Sequence, residues 1–435
     1  MSVDDVIRDL GAPDRRSEAA DSLVALGRAA VGPVLRQLMD ESSSVDWARS
    51  ARVLQRLGVV GFDLLAEGLM AASTQESQRR AGWVFSRYGI DALDRYIAAL
   101  AHPHPRVRAH AALGIQFCGE TGVLAAADLV PLLGDADEAV THQAQSALTM
   151  LGPAVVPMLL QVRESGPGKQ RAGALSVLAA VGGESVLSAK DLAVLERLVR
   201  IKLLDDRPEP LWTCWNHWIA VPNGDQAGIM EVLGLRRPRP VTFALAHDAV
   251  DSDGHEGPGA DTGCWARVFV TPELDGWTLV VGGWCDPCGE ERCDDVLRLC
   301  TELSVRYGMA QAYYYGAQGD GSAWLIVENG TVVRRYCESG EGTDRSLTIG
   351  EPLPYERARR AELGLSPDWD PAAESEEDED EWSGAAYIMA PEIAESLGIS
   401  PLAIGADTPT RGGTGVLALT PYGVEHGVPS GSYRI

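Results

Sequence analysis

Two hydrophobic rhythms divide the chain. Up to about residue 205, apolar positions recur at helical spacing. Six segments align on a glycine: "AADSLVALG" at Gly27, "SARVLQRLG" at Gly58, "AGWVFSRYG" at Gly89, "AALGIQFCG" at Gly119, "AQSALTMLG" at Gly152 and "AGALSVLAAVG" at Gly182. The glycines stand 31, 31, 30, 33 and 30 residues apart. Eight residues before each stands Ala19, Ser50, Ala81, Ala111, Ala144 or Ala174; four before it stands Leu23, Leu54, Phe85, Ile115, Leu148 or Leu178. These offsets share one helix face, with the small residue where a neighbouring helix comes close. The glycine supplies a left-handed helix end. A second helix follows it, as in "AAVGPVLRQLMD" and "PAVVPMLLQVRES".

After "DDRPEP" the period changes. Trp212, Trp215 and Trp218 in "LWTCWNHWIAV" stand at helix-like spacing, suited to closing the last repeat or packing on the next domain. "DQAGIMEVLGL" reads as a short helix ending at Gly234, and "PVTFALAHDAV" and "ARVFVTPEL" read as strands. Asp275-Gly276 predicts a two-residue hairpin into "WTLVVGG". An amphipathic helix, "CDDVLRLCTELSVRYG", ends at Gly308. "AQAYYYGAQ" and "GSAWLIVE" are strands, and Asn329-Gly330 turns the chain into "TVVRRYCE". Over 241–338 these strands with their one helix make an α+β arrangement with a mostly antiparallel sheet.

A period near 31 residues with two helices per unit predicts an α-solenoid. The units resemble HEAT repeats, with "HPHPRVRAHAALGIQFCG" (102–119) the nearest to that pattern. That resemblance implies a protein-binding surface, since HEAT arrays usually act so; some HEAT-like proteins are instead alkylpurine DNA glycosylases or phycobilin lyases. A nucleic-acid role needs a basic face, and Arg16, Arg79, Arg80, Arg108 and Arg171 at the helix starts are its candidates. The plainer reading makes them solvated helix starts, and Trp47 and Trp83 packing residues.

Charge sharpens the choice. Residues 1–205 hold 21 Lys/Arg against 24 Asp/Glu; the rest hold 16 against 38, so −22 of the net −25 falls in the second half. Such a surface repels nucleic acid and anionic lipid and attracts a basic protein. No apolar run reaches 18 residues, and "MSVDDVIRDL" carries acids where a secretory leader needs a basic end, so a cytoplasmic protein is expected. Eight cysteines then predict free thiols or a metal rather than a disulfide scaffold.

The loudest chemical signal is "VGGWCDPCGEERC" (281–293). Strand, WCxPC and helix in that order resemble the thioredoxin active site, which implies a redox dithiol at Cys285 and Cys288. Gly321, Ser322 and Ala323 stand where that family has a proline, and only "GAQGDG" separates strands that it joins by a helix. A structural zinc would take Cys285 and Cys288 with Cys293 or Cys300, while Cys264, His247 and His255 could join only through the fold. Otherwise these are unligated thiols, with Cys293 and Cys300 seven apart as small core residues. "DAVDSDGHEG" fails as a calcium loop, since Ala249 and Ala260 occupy its first and twelfth places.

The expected architecture is multidomain: an all-α HEAT-repeat solenoid of about six repeats over 1–205 and an acidic α+β domain over 206–365. An acidic linker follows at 366–383, then a segment 384–435 whose strand pattern suits a return to the main sheet. The expected function is a protein-binding scaffold or inhibitor, of immunity or antitoxin type in one version. Arg16, Arg79, Arg80, Arg108, Arg171, Trp212 and Trp215 would meet the partner, with no cofactor. A thiol oxidoreductase at Cys285/Cys288 and a HEAT-like nucleic-acid enzyme are the alternatives.

Overall fold

The computed structural model describes residues 2–223, 225–255, 263–317, 319–339, 342–343, 347–369 and 374–428. The chain divides into two compact units, Met1–Leu187 and Ser188–Ile435. The division falls ahead of the boundary expected at 205.

The first unit is helical: α1 (Val3–Asp9), α2 (Arg16–Ala25), α3 (Arg28–Met39), α4 (Trp47–Leu57), α5 (Phe62–Ala71), α6 (Gln75–Phe85), α7 (Leu93–Ala99), α8 (Pro105–Gln116), α9 (Ala126–Leu129), α10 (Glu138–Met150), α11 (Val156–Ser165) and α12 (Gly168–Gly182). The glycine motif lies on α2, α4, α6, α8, α10 and α12, and each of these helices touches the next in that series. The repeated positions are buried. Ala19, Ser50, Ala81, Ala111, Ala144 and Ala174 are buried, and Leu23, Leu54, Phe85, Ile115, Leu148 and Leu178 are fully so.

Gly27, Gly58, Gly89, Gly119 and Gly152 have φ between 57° and 68°. A Cβ at any of the five would meet nothing within 4 Å, so the backbone and not crowding demands glycine. In the sixth unit the positive φ falls on Gly183, at 53°, and Gly182 is the last residue of α12. The pattern put that turn one residue early because two glycines adjoin.

The second unit contains α13 (Ala189–Lys202), β1 (Trp215–Pro222), α14 (Gln226–Val232), β2 (Arg236–Pro240), α15 (Phe243–Gly254), β3 (Arg267–Val270), β4 (Glu273–Leu274), β5 (Trp277–Val281), α16 (Cys293–Tyr307), β6 (Met309–Gly316), β7 (Gly321–Glu328), β8 (Thr331–Ser339), β9 (Gly342–Thr343), α17 (Pro354–Glu362), α18 (Glu376–Ala386), α19 (Ala390–Leu397), β10 (Thr410–Arg411), β11 (Val416–Leu419) and α20 (Pro421–His426). The antiparallel sheet runs β2-β11-β3-β5-β1-β6-β7-β8-β9, with β4 and β10 off this path. The late strand β11 thus returns to the main sheet, between β2 and β3. Both hairpins form as predicted, with Asp275, Gly276, Asn329 and Gly330 all at positive φ.

The two sheet faces are built differently. On one, Leu299, Cys300 and Leu303 of α16 pack on Ile219, Val280, Ala312 and Leu325. On the other, Trp218, Tyr313, Trp324 and Tyr336 are register partners across β1, β6, β7 and β8. Trp218 stacks on Tyr313 with centroids 4.9 Å apart, and Trp324 on Tyr336 at 4.7 Å. Such a pair adds about 0.5–1.5 kcal/mol beyond its buried area. Trp382 of α18 meets Tyr336 edge-on at 6.2 Å. One row along, Arg334 on β8 grips Glu356 on α17 through Nη2 at 2.6 Å and Nε at 3.0 Å, both side chains being almost wholly buried.

Three expectations are corrected. Trp215 and Trp218 lie in a strand, so they point to opposite faces: Trp218 is buried and Trp215 is 42% exposed. "PVTFALAHDAV" holds the helix α15, because the Thr242 hydroxyl accepts from the Leu245 amide and starts it. The acidic segment read as a linker contains α18, capped by Ser375 and anchored by buried Trp382. Its acids Glu376, Glu377, Asp380 and Glu381 are nonetheless exposed.

Breaking the buried pair by Glu356→Ala should cost about 3–5 kcal/mol in a urea unfolding series, since it strands the Arg334 charge. Arg334→Met with Glu356→Leu should recover much of that loss; a single-mutant loss below about 1 kcal/mol would contradict it. In the first unit, burial lowers the His110 imidazole to about 4, and Arg106 adds to this. The unfolded chain takes the proton near pH 6.5, so this stability is complete above about 6.5 and is lost as pH falls towards 4. The loss should reach roughly 3 kcal/mol at low pH, and His110→Leu should flatten that part of the pH profile.

Candidate functional site

The cysteine stretch does not form the site its sequence suggests. Cys285 closes a short 3-10 turn, Gly283–Cys285, and α16 begins only at Cys293, so the first thiol does not sit at the start of that helix. Cys285 is wholly buried, which pushes its thiol up to about 12. A hydrogen bond with Cys337, reinforced by burial, pushes the Cys288 thiol well up too. The Cys288 thiol also donates to Asp286 Oδ1 at 3.2 Å. Cys300 shares the helix–sheet core with Cys285, and Cys293 is buried at the start of α16. Cys118, Cys214, Cys285, Cys288, Cys293, Cys300 and Cys337 carry free thiols. Cys285, Cys288, Cys293 and Cys300 do not bring three ligand atoms together; among the described residues that happens elsewhere.

Of the five arginines, three are engaged internally. Arg108 holds Asp135 in a bidentate pair at 2.9 and 2.8 Å and donates to the His102 carbonyl. Arg80 pairs with Glu76 and donates to the Leu38 carbonyl. Arg79 pairs with Glu76 and lies 4.8 Å over Trp47, whose ring meets Trp83 edge-on at 5.6 Å. Arg16 and Arg171 are exposed, with no acid partner among the described residues. The aromatic strip continues through Arg87, which covers Trp83 at 4.9 Å and Phe117 at 4.7 Å. Phe117 and Met150 are 45% and 67% exposed, each two residues before a repeat glycine.

In the second unit, chemistry-bearing side chains converge where β1 begins. Asn216 accepts from the Thr213 amide at 2.9 Å and donates to the Thr213 carbonyl at 2.8 Å, closing the turn that carries Cys214. The Cys214 carbonyl accepts from the Ala317 amide at 3.0 Å. Against this turn lies α15, whose His247 and Asp251, with the capping residue His255, follow one another every fourth residue along one side. His247 Nε2 hydrogen-bonds the Trp212 carbonyl. The ligand atoms of Cys214, Asp251 and His255 all lie within 4.8 Å of one another. The end of α15 is fixed by Asp253, which holds Arg267 of β3 in a buried bidentate pair at 2.6 and 2.8 Å. Trp215 packs 5.4 Å from the His255 ring, and its indole donates to Asp320 at 3.0 Å. Trp212 is 53% exposed beside it.

Sequence reasoning singled out Trp212 and Trp215 but not Cys214 or Asp251. The available signal was Asp251 and His255 at i and i+4; the thiol lies 37 positions before Asp251 and joins only through the fold. Nearby, Asp206 accepts from the Phe243 amide at the start of α15, and burial raises its carboxyl. It borders an open cleft of about 530 Å³ lined also by Lys202, Arg207 and Glu209. Ala260 of the rejected calcium loop lies outside the described residues.

No family model and no curated protein matches the chain. Among solved structures, a crystal structure of an engineered protein is 18% identical over 40% of this chain and 94% of its own, at a TM-score of 0.20. A likeness that low says nothing about function. No single helix among the described residues is long and apolar enough to cross a membrane.

Alkylation of the folded chain at pH 8 should spare Cys285 and Cys300, which are fully buried, while half-buried Cys214 and Cys118 react first. Peptide mass spectrometry reads the order. Rapid labelling of Cys285, or reductase activity lost on Cys285→Ala, would restore the dithiol reading.

Proposed function

We propose that the chain is a cytoplasmic protein-binding scaffold, with a HEAT-type α-solenoid as its first half and a basic protein as its partner. An inhibitor of immunity or antitoxin type is the specific form of this reading. The observation that carries it is the strip of half-buried Trp47 and Trp83 and exposed Phe117, interleaved with arginines, along helices that touch in sequence order. Aromatic and arginine side chains of this kind supply the anchoring contacts of protein interfaces. The ordered contacts of α2, α4, α6, α8, α10 and α12 favour the solenoid arrangement. The net −22 beyond residue 205 favours a basic partner by raising its association rate.

Two rival readings lose support. Phosphate binding needs a patch of free cations, and Arg79, Arg80 and Arg108 already hold acids, which leaves Arg16 and Arg171 of the five candidates. Thiol exchange needs an accessible thiolate, and Cys285 is buried and protonated.

Once a partner is purified, raising salt from low to moderate levels should slow association strongly and change dissociation little. Replacing Glu376, Glu377, Asp380 and Glu381 with their amides should lower the on-rate modestly and leave stability within about 0.5 kcal/mol, since none is buried. Glu374 is left intact because it pairs with buried Arg360. Phe117→Ala with Met150→Ala should speed dissociation instead. An acidic partner, or an on-rate indifferent to salt, would remove the electrostatic part.

A further inference from the structure

We propose that Cys214, Asp251 and His255 form a binding site for a zinc-class divalent cation. The three come from two segments brought together by the fold, and their ligand atoms already stand within 4.8 Å of one another. In a tetrahedral zinc centre with Zn–S of about 2.3 Å and Zn–N and Zn–O of about 2.0–2.1 Å, ligand atoms stand roughly 3.3–3.6 Å apart. The observed spread therefore closes with small side-chain rotations.

The donor set selects the metal. Calcium and magnesium take oxygen ligands, whereas a thiolate with an imidazole and a carboxylate suits zinc and its neighbours in the transition series. The supports around the site are those such a centre needs. His255 Nδ1 lies 2.7 Å from the Asp251 carbonyl, which holds the ring. The Asp253–Arg267 pair holds the helix end, and the Asn216 turn holds the thiol. Three protein ligands leave a fourth position for water or a partner's group. Trp215 supplies an apolar wall against His255. On binding, the Cys214 S–H proton passes to solvent and the sulfur lone pair goes to the metal, so one proton is released per cation.

The test uses the full chain, stripped of metal and kept reduced. Zinc titration by calorimetry should show one equivalent bound, with about one proton released when the titration is repeated in buffers of different ionisation enthalpy. Cobalt should give a thiolate charge-transfer band and tetrahedral visible bands. Cys214→Ser should abolish that band, and Cys214→Ser and His255→Ala should each weaken zinc at least tenfold. His255 is exposed, so its variant keeps the fold, which circular dichroism checks. Cys285→Ala should bind zinc as the parent does. No saturable binding would overturn the proposal. So would a cobalt complex without a sulfur band, or unchanged affinity in Cys214→Ser and His255→Ala.

Discussion

Arg334 and Glu356 are 1% and 0% exposed, so each charge persists in the fold only because the other stands 2.6 Å away. Ions this deep have given up water, and a paired geometry with further hydrogen bonds must offset the loss. Those bonds exist. Glu356 accepts from the Leu353 amide at 2.8 Å, and Arg334 donates to the Gly350 carbonyl at 2.8 Å. One carboxylate thereby fixes the start of α17 while its guanidinium fixes the turn leading into it. One helical turn later Arg360 pairs with Glu374 and lies 5.0 Å over Trp382, which sets α18 against Tyr336. Apolar contact alone is non-directional; a bidentate pair also sets an angle.

Local signals carried most of the fold. Asp275-Gly276 and Asn329-Gly330 were legible because a two-residue turn at positive φ admits few other residues. The repeat was legible because the same buried small and large residues recur before each glycine. The failures lie where a distant partner decides. "PVTFALAHDAV" has the composition of a strand, yet Thr242 and Asp206 cap its amides and a helix results. The tryptophans 212, 215 and 218 imitate a helical period, but Asn216 closes a turn and Trp218 finds its stacking partner on β6. The acidic run 374–381 reads as solvent-loving, and its exposed acids are; only Trp382, just beyond, shows which side of it turns inward.

The candidate site was less legible for the same reason. A CxPC motif is visible at a glance, but burial decides whether a thiol reacts, and burial of Cys285 depends on α16 crossing the sheet. Cys214 has no neighbour in sequence that marks it. Its partners Asp251 and His255 stand at the end of α15, in the stretch "DAVDSDGHEG", whose acids resemble a calcium loop and so mask the i and i+4 spacing.

The aromatic row across β1, β6, β7 and β8 has a spectroscopic consequence. Trp218 with Tyr313 and Trp324 with Tyr336 are parallel within 20° and 23°, in a chiral frame and away from water. Rings held so rigidly couple their excited states, and the near-ultraviolet dichroism of the chain should be dominated by this one patch. Of the tryptophans, the first unit contributes only Trp47 and Trp83, which cross edge-on and are half-buried. The sheet therefore carries its own optical label, by which the packing of the second unit can be followed in an unmodified chain.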